Sequence, residues 1–413
     1  HLVPLHGLQA GHTYRYWVQV GRITTKPYEL ETAPLPGAGP VVFAYCGDSR
    51  EGVGGGMQNY MGMNYSTLHR LAAIAYRHEA EFFLMGGDLI NGYTTSSDDF
   101  AAQLFAWKQA MSGFWHERAV YPAMGNHEAL LRTFKGEGGG RIRVDRWPYA
   151  SQSAEAIFAD AFVNPEGAPP PADPRRPTYE ESVFAVQYGM VKFIAFNNNY
   201  WYSNEPEKYG GCPEGYIMDD QLDWIERQLG LAEADPTVRY VLLFAQEPVF
   251  PCGGHVADAM WYDGNNRVRA FTYRAGRLEP AADGIIDVRN RLARAVAASS
   301  KVAAVLAGDE HAYHRVLIGP HVPVGDPQRD DADGDGELDW RGDEPASPLA
   351  ALKRPTWYLT CGGGGAPYYS AEPTPWTNYW NAQPEPHVGY YYSSQENVFV
   401  FQADEEGISV DVY

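Results

Sequence analysis

Asp48, Asp88, the Asn126–His127 pair, Gln246 and the Asp309–His311 pair each follow a short apolar run. The runs read VVFAYC, EFFLM, AVYPAM, VLLFA and KVAAVLA. Carboxylates, an amide oxygen and imidazoles brought together from different strand ends make a cation site. A carboxylate that bridges two ions lets the pair clamp an in-line displacement at phosphorus. Each motif alone is weak, because a Gly-Asp pair after a strand is usually a turn and a lone histidine is usually structural. Their succession in one chain carries the signal. A second cation motif is independent of these. Residues 331–339 read DADGDGELD, with Asp331, Asp333 and Asp335 at alternate positions, Gly336 next, then Glu337, Leu338 and Asp339. That is the spacing of an EF-hand calcium loop: oxygen ligands at one, three and five, and a glycine for the sharp turn. Position twelve is Gly342, so the bidentate glutamate is missing, with Asp343 or Glu344 as the nearest replacement. A solvated acidic loop is the competing reading.

The elements that must position these residues alternate. STLHRLAAIAYRHEA and DDFAAQLFAWKQAMSGFW carry apolar residues at helical spacing, and they separate the first three apolar runs. That βαβαβ order predicts a layered α/β fold with mainly parallel strands, whose ligands bind at the carboxyl ends of strands. Residues 135–182, rich in Gly, Pro and charge, read as a long surface excursion. SVFAVQYGMVKFIAFNN predicts a hairpin, QLDWIERQLGLAEA and IIDVRNRLARAVAA predict helices, and the last strands come from PTWYLTC and NVFVFQADEEGISVDVY. Residues 1–34 read as a separate β-rich segment, 35–40 as a linker, and 41–413 as one domain carrying the 331–339 insertion.

The chain has 413 residues, 45% hydrophobic and 20% charged, which is globular composition. Its 52 acidic and 32 basic residues leave a formal charge of −20. Such a surface repels a nucleic-acid backbone or an anionic membrane. No apolar stretch is long enough to span a bilayer. The first residues lack the basic start and apolar core of a signal peptide, so a secreted form would be a processed chain or a piece of one. Cys212 and Cys252 both lie in Gly/Pro-rich loops, which predicts a disulfide between them and an oxidising, extracellular setting. Cys46 ends an apolar run and reads as a small buried hydrophobe. The aromatic clusters of 357–392 read as packing or self-association surfaces.

In its motifs the chain resembles the calcineurin-like metallophosphoesterases, including the purple acid phosphatases. The resemblance rests on GDSR (47–50), GGDLING (86–92), GNHE (125–128), AQEP (245–248) and GDEHAYHR (308–315), and runs from about residue 40 onward. CGGGGAP (361–367) looks like the Gly-rich strand end of secreted relatives. Those relatives often carry a fibronectin-like domain in front. GLQAGHTYRYWVQV and ELETAP, within residues 1–34, resemble the last strands of a fibronectin type III domain. The implied fold is a four-layer αββα sandwich: two sheets face to face, flanked by helices. The resemblance implies that Asp48 and His311 hold a first ion, that Asp88 bridges, and that Asn126 holds a second. It casts His127 as the histidine that protonates or orients the leaving oxygen.

Departures from the family pattern carry chemical meaning. Arg50 stands where a histidine is frequent, and a guanidinium there would hold a phosphate oxygen, or else only pair with Glu51. Asn91 replaces the tyrosine of purple acid phosphatases, so no iron–tyrosinate colour is expected. Gln246 and Asp309 replace histidines. The second position becomes Asp88, Asn126, Gln246 and Asp309, all oxygen, which suits calcium, magnesium or manganese over zinc or iron. His255, in the loop after Gln246, is a substitute ligand or a substrate-loop histidine. The expected function is a secreted metal-dependent phosphoesterase acting on phosphate esters at a two-metal or degenerate one-metal site. The alternative is a catalytically silent, calcium-stabilised extracellular structural or adhesive protein on the same fold.

Overall fold

The apolar runs become the central strands of two sheets. In this computed structural model, which describes residues 2–51, 59–136, 140–340 and 346–413, a five-stranded sheet has the order Ile408–Val412, Phe399–Ala403, Val41–Cys46, Phe82–Met85, Ala119–Pro122. Its last three strands are parallel, and the two C-terminal strands add to it antiparallel. A seven-stranded sheet has the order Phe184–Tyr188, Val191–Ala195, Tyr240–Phe244, Val302–Ala307, Thr356–Cys361, Tyr313–Ile318, Tyr390–Ser393. Four of these, from Val191–Ala195 to Thr356–Cys361, run parallel. Phe82–Met85 is buried throughout, as a parallel strand covered on both faces must be.

The two sheets meet face to face. Phe43 of the first packs edge-on against Phe193 of the second at 4.9 Å, and Tyr45 packs against Phe244 at 6.3 Å. Helices cover the outer faces. Helix Ser97–Trp115 is capped by Ser96, whose side chain accepts from the Asp99 N–H, and it buries Phe100, Leu104, Trp107, Met111 and Phe114 on one stripe. Helix Tyr65–Arg77 is capped by Asn64 and buries Leu68, Leu71 and Ala75. On the other side, Asp219–Ala234 and Ile285–Ala298 cover the seven-stranded sheet. The expected αββα sandwich is present.

Two expectations change. Residues 135–182 do not all lie on the surface: helix Ala154–Ala161 sends Phe158 into the core, and the following Phe162 packs at 5.9 Å from Trp107. The Cys212–Cys252 disulfide does not form, and both are free, buried thiols, as are Cys46 and Cys361. Cys212 is held beside Trp201, whose carbonyl takes its backbone N–H. Cys252 is held by Glu310, which accepts its N–H. Each loop has its own backbone anchor, which loop composition does not reveal.

Residues 2–34 form two two-stranded ladders, Thr13–Tyr16 with Tyr28–Glu31 and Gln19–Val20 with Ile23–Thr24. They meet the main body where Tyr28 stacks on His116 at 4.3 Å. Within the aromatic stretch 357–392, Trp376 is fully buried, and with Phe250 and Trp261 it surrounds the buried Arg289 guanidinium.

Candidate metal centre

Asp48, Asp88 and Asn126 lie just beyond the carboxyl ends of three parallel strands of one sheet. Gln246 and Asp309 lie just beyond those of two strands of the other. The site therefore sits where the carboxyl edges of both sheets converge, as expected for parallel strands. The turns are sharp. Asp48, Asp88 and Asp309 all adopt positive φ, at 65°, 51° and 65°. Aspartate tolerates this left-handed region better than most residues, at a cost of about 1 kcal/mol each. Glycines make room for the carboxylates. A Cβ on Gly308 would come within 2.5 Å of Asp48 Oδ2 and 2.6 Å of Gln246 Oε1.

Backbone donors aim the side chains. The Asp309 N–H donates to both oxygens of Asp48, at 3.0 and 2.9 Å, and the His127 N–H donates to Asp88 Oδ1 at 3.0 Å. Glu128 ties two loops together, accepting from the N–H groups of Asp88, Ile90 and Gly125 at 2.9, 3.2 and 2.8 Å. Its place in GNHE was visible in the sequence, but its role as a buried clamp was not.

The residues present fit a divalent ion. Ligand atoms of Asp48, Asp88 and His311 lie within 4.8 Å of one another, and all three side chains are buried. His311 Nδ1 donates to the Pro367 carbonyl at 2.5 Å, which leaves the Nε2 lone pair facing Asp48 Oδ1 at 3.5 Å. Tyr369 stacks on the His311 ring at 4.3 Å and fixes its plane. Burial, then the Asp48 and Glu128 charges, hold the Asp88 carboxyl well above its usual range. A cation there relieves that cost.

Arg50 turns into this group. Its Nε lies 3.7 Å from Asp88 Oδ2 and its Nη2 3.4 Å from His311 Nε2, while Glu51 offers it only a backbone carbonyl at 3.5 Å. His127 completes the ring of side chains, with Nε2 3.9 Å from Asp88 Oδ2. Its Nδ1 donates to the Asn91 carbonyl at 2.7 Å, so Nε2 is the bare nitrogen. Burial, with Arg50 adding to it, pushes the His127 pKa well below the usual imidazole value. Tyr93, edge-on to His127 at 4.6 Å, hydrogen-bonds Glu214.

The remaining expected ligands divide. Buried Asn126 Oδ1 and Gln246 Oε1 have no hydrogen-bond partner among the described residues, consistent with oxygens kept for a cation. The Gln246 amide nitrogen, however, donates to Asp48 Oδ1 at 2.9 Å. Asp309 keeps its carboxylate apart from the Asp48–Asp88–His311 group and turns it to His255, at 3.2 Å. Burial pushes the Asp309 carboxyl up to about 7, against the pull of His255. Burial works against a charge on His255, but Asp309 and Asp258 outweigh it and raise the ring to about 11.

In the 331–339 loop, Asp331, Asp333 and Asp335 come within 4.8 Å of one another. Gly336, at φ 87°, makes the turn and donates to Asp331. Glu337 turns away to pair with Arg267, and Asp339 accepts from the Ala332 N–H. Gly342, Asp343 and Glu344 lie outside the described residues.

Residues 43–313 match the family model described as calcineurin-like phosphoesterase. No curated protein matches the sequence. Among solved structures, the chain is similar to PhoD, at 14% identity, covering 98% of this chain and 78% of that one, with a TM-score of 0.49. It is also similar to a dimetal phosphatase from Danio rerio, at 12% identity, covering 91% of this chain and 99% of that one, with a TM-score of 0.43.

Proposed function

Because the chain belongs to the calcineurin-like phosphoesterase family, we propose that it is an active metal-dependent hydrolase of phosphate esters, with Asp48, Asp88 and His311 as its principal ion ligands. The observation that carries this reading is their convergence within 4.8 Å, with His311 Nδ1 spent on the Pro367 carbonyl so that the Nε2 lone pair faces the group, where Arg50 Nη2 also meets it at 3.4 Å. When bound there, a divalent ion supplies a Lewis acid for phosphoryl oxygens and an activated water. Arg50 places a permanent charge beside Asp88, where it binds a phosphoryl oxygen and offsets charge developing in the transition state. His127 receives a proton at Nε2 and passes it to the leaving oxygen, and its lowered pKa makes it release that proton readily. Hydrolysis of a generic aryl phosphate by chelator-stripped protein, restored by manganese and lost in Asp88→Asn, tests the reading.

One observation favours the silent alternative. The Gln246 amide satisfies Asp48 without an ion. Absence of metal-dependent turnover on monoesters, diesters and nucleotides would leave that structural reading standing.

Two further parts belong to the same proposal. The loop at Asp331, Asp333 and Asp335 takes calcium, supported by its three converged carboxylates and the glycine turn. The protein works outside the cell, supported by its charge of −20 and that loop, and no disulfide enters the argument. Recovery of the native protein from cell interiors alone would count against the extracellular setting.

A further inference from the structure

We propose that Glu247, His255 and Asp309 form a second cation site, beside the Asp48–Asp88–His311 group, that takes a divalent transition-metal ion. Ligand atoms of these residues lie within 4.8 Å of one another. Two ligands on opposite sides of one ion, each at about 2.0–2.2 Å, stand at most about 4.4 Å apart, so a small contraction closes the site. Glu247 is 1% exposed, no N–H donor among the described residues reaches its carboxylate oxygens, and the polar group beside it is the Asp309 carboxyl. Asp309 Oδ2 is equally buried and faces the His255 ring at 3.2 Å. Buried carboxylates without donors are costly, and a cation is the usual remedy.

The ring is already positioned. His255 Nδ1 lies 3.0 Å from Asp258 Oδ1, and Tyr369 packs edge-on to the ring at 5.2 Å. The ion takes the place of the Nδ1 proton. Neither Asn126 nor Gln246 is a ligand here, so the site is displaced from the all-oxygen position expected from the motifs. Two carboxylates and an imidazole suit manganese, iron(II) or zinc over calcium or magnesium. The Asp309 backbone N–H on Asp48 joins the two sites through one residue.

The test counts ions on the full chain and does not depend on turnover. Chelator-stripped protein is dialysed against manganese with excess calcium, and bound manganese is measured by atomic emission. Wild type should hold two manganese ions per chain, Asp88→Asn one, His255→Ala one, and the Asp88→Asn/His255→Ala double variant none. Glu247→Gln, which keeps the side-chain shape, should weaken the second ion about tenfold or more. Anomalous scattering from manganese-soaked wild-type crystals should give a peak among Glu247, His255 and Asp309, which decides the matter even if a variant fails to fold. A peak confined to Asp48, Asp88 and His311, with His255→Ala binding as many ions as wild type, overturns the proposal and leaves a proton shared between Glu247 and Asp309. Two bound ions without hydrolysis would sink the phosphoesterase reading alone. Hydrolysis with a single bound ion would sink this proposal alone.

Discussion

The Gln246 side-chain amide donates from Nε2 to Asp48 Oδ1 at 2.9 Å, joining the carboxyl ends of central strands from the two facing sheets. Asp48, at the edge of the five-stranded sheet, is thereby held by two strand ends of the seven-stranded one, since the Asp309 N–H reaches the same carboxylate. The glutamine acts as a clip for the first site and need not be a ligand of a second one.

Replacing that clip should weaken the fold. Gln246→Leu removes the charge-assisted hydrogen bond and leaves part of Asp48 unpaired in a buried place. A loss of about 1.5–3 kcal/mol is expected, the usual worth of a hydrogen bond to a charged group. Urea unfolding of the metal-free protein measures it. An unchanged midpoint would mean that the Asp309 N–H is enough.

His127→Ala should slow aryl phosphate hydrolysis by about a hundredfold or more while leaving bound manganese unchanged. Burial and Arg50 lower the His127 pKa, so the alkaline limb of the wild-type pH–rate profile, where the proton donor is lost, should begin below the ordinary imidazole value. The variant should lack that limb. Loss of the metal along with the activity would make the histidine structural instead.

Stability of the metal-free protein should fall as pH rises from 5 to 8. Burial raises the Asp309 and Glu128 carboxyls to about 7, and raises Asp88 and Glu247 well above the usual carboxylate range. Such groups stabilise the fold fully below about pH 4, and this contribution is lost as pH climbs through the raised values. His255, raised to about 11, acts in the same direction above about pH 6.5. His127 and His311 are lowered, so their contribution is present above about pH 6.5 and fades on acidification. The raised carboxyls outnumber them. Melting temperatures with chelator should drop across this range, and saturating manganese should flatten the drop by pairing the carboxylates. A flat profile with chelator would mean that the buried carboxyls are paired in some other way.

Chelating calcium should lower the melting temperature, because an ion that binds only the folded state stabilises it by about 2.7 kcal/mol at a hundred times its dissociation constant. Asp333→Ala should remove most of that effect. Melting curves of the two proteins, with and without calcium at constant manganese, separate this loop from the metal centre. Identical wild-type curves with and without calcium would leave 331–339 a solvated acidic loop.

Much of the protein was legible in the chain because it is local. A buried parallel strand such as Phe82–Met85 is an unbroken apolar run, and the Gly-Asp turn that ends it must sit at the sheet edge. Helix stripes such as Phe100, Leu104, Trp107, Met111 and Phe114 repeat with the helical period. Hence a layered α/β fold with the chemistry-bearing residues at strand ends could be read from spacing, while the αββα sandwich and the approach of Asp48, Asp88, His127 and His311 were implied by the family resemblance of the motifs.

What the sequence by itself determined was therefore which residues stand at the strand ends, because strand and turn preferences act over a few neighbours. The tertiary structure alone decided where each side chain turns. Arg50 reaches Asp88 and His311 rather than the adjacent Glu51 carboxylate, because the sheet edges put a buried carboxylate and an imidazole acceptor nitrogen within its reach. Cys212 and Cys252 remain free thiols, with Trp201 and Glu310 anchoring their backbones separately. Asp309 turns to His255 because a loop more than fifty residues earlier in the chain brings that ring to 3.2 Å from it. Such contacts depend on how two sheets and their loops pack, and the spacing of residues along one strand carries no record of that packing.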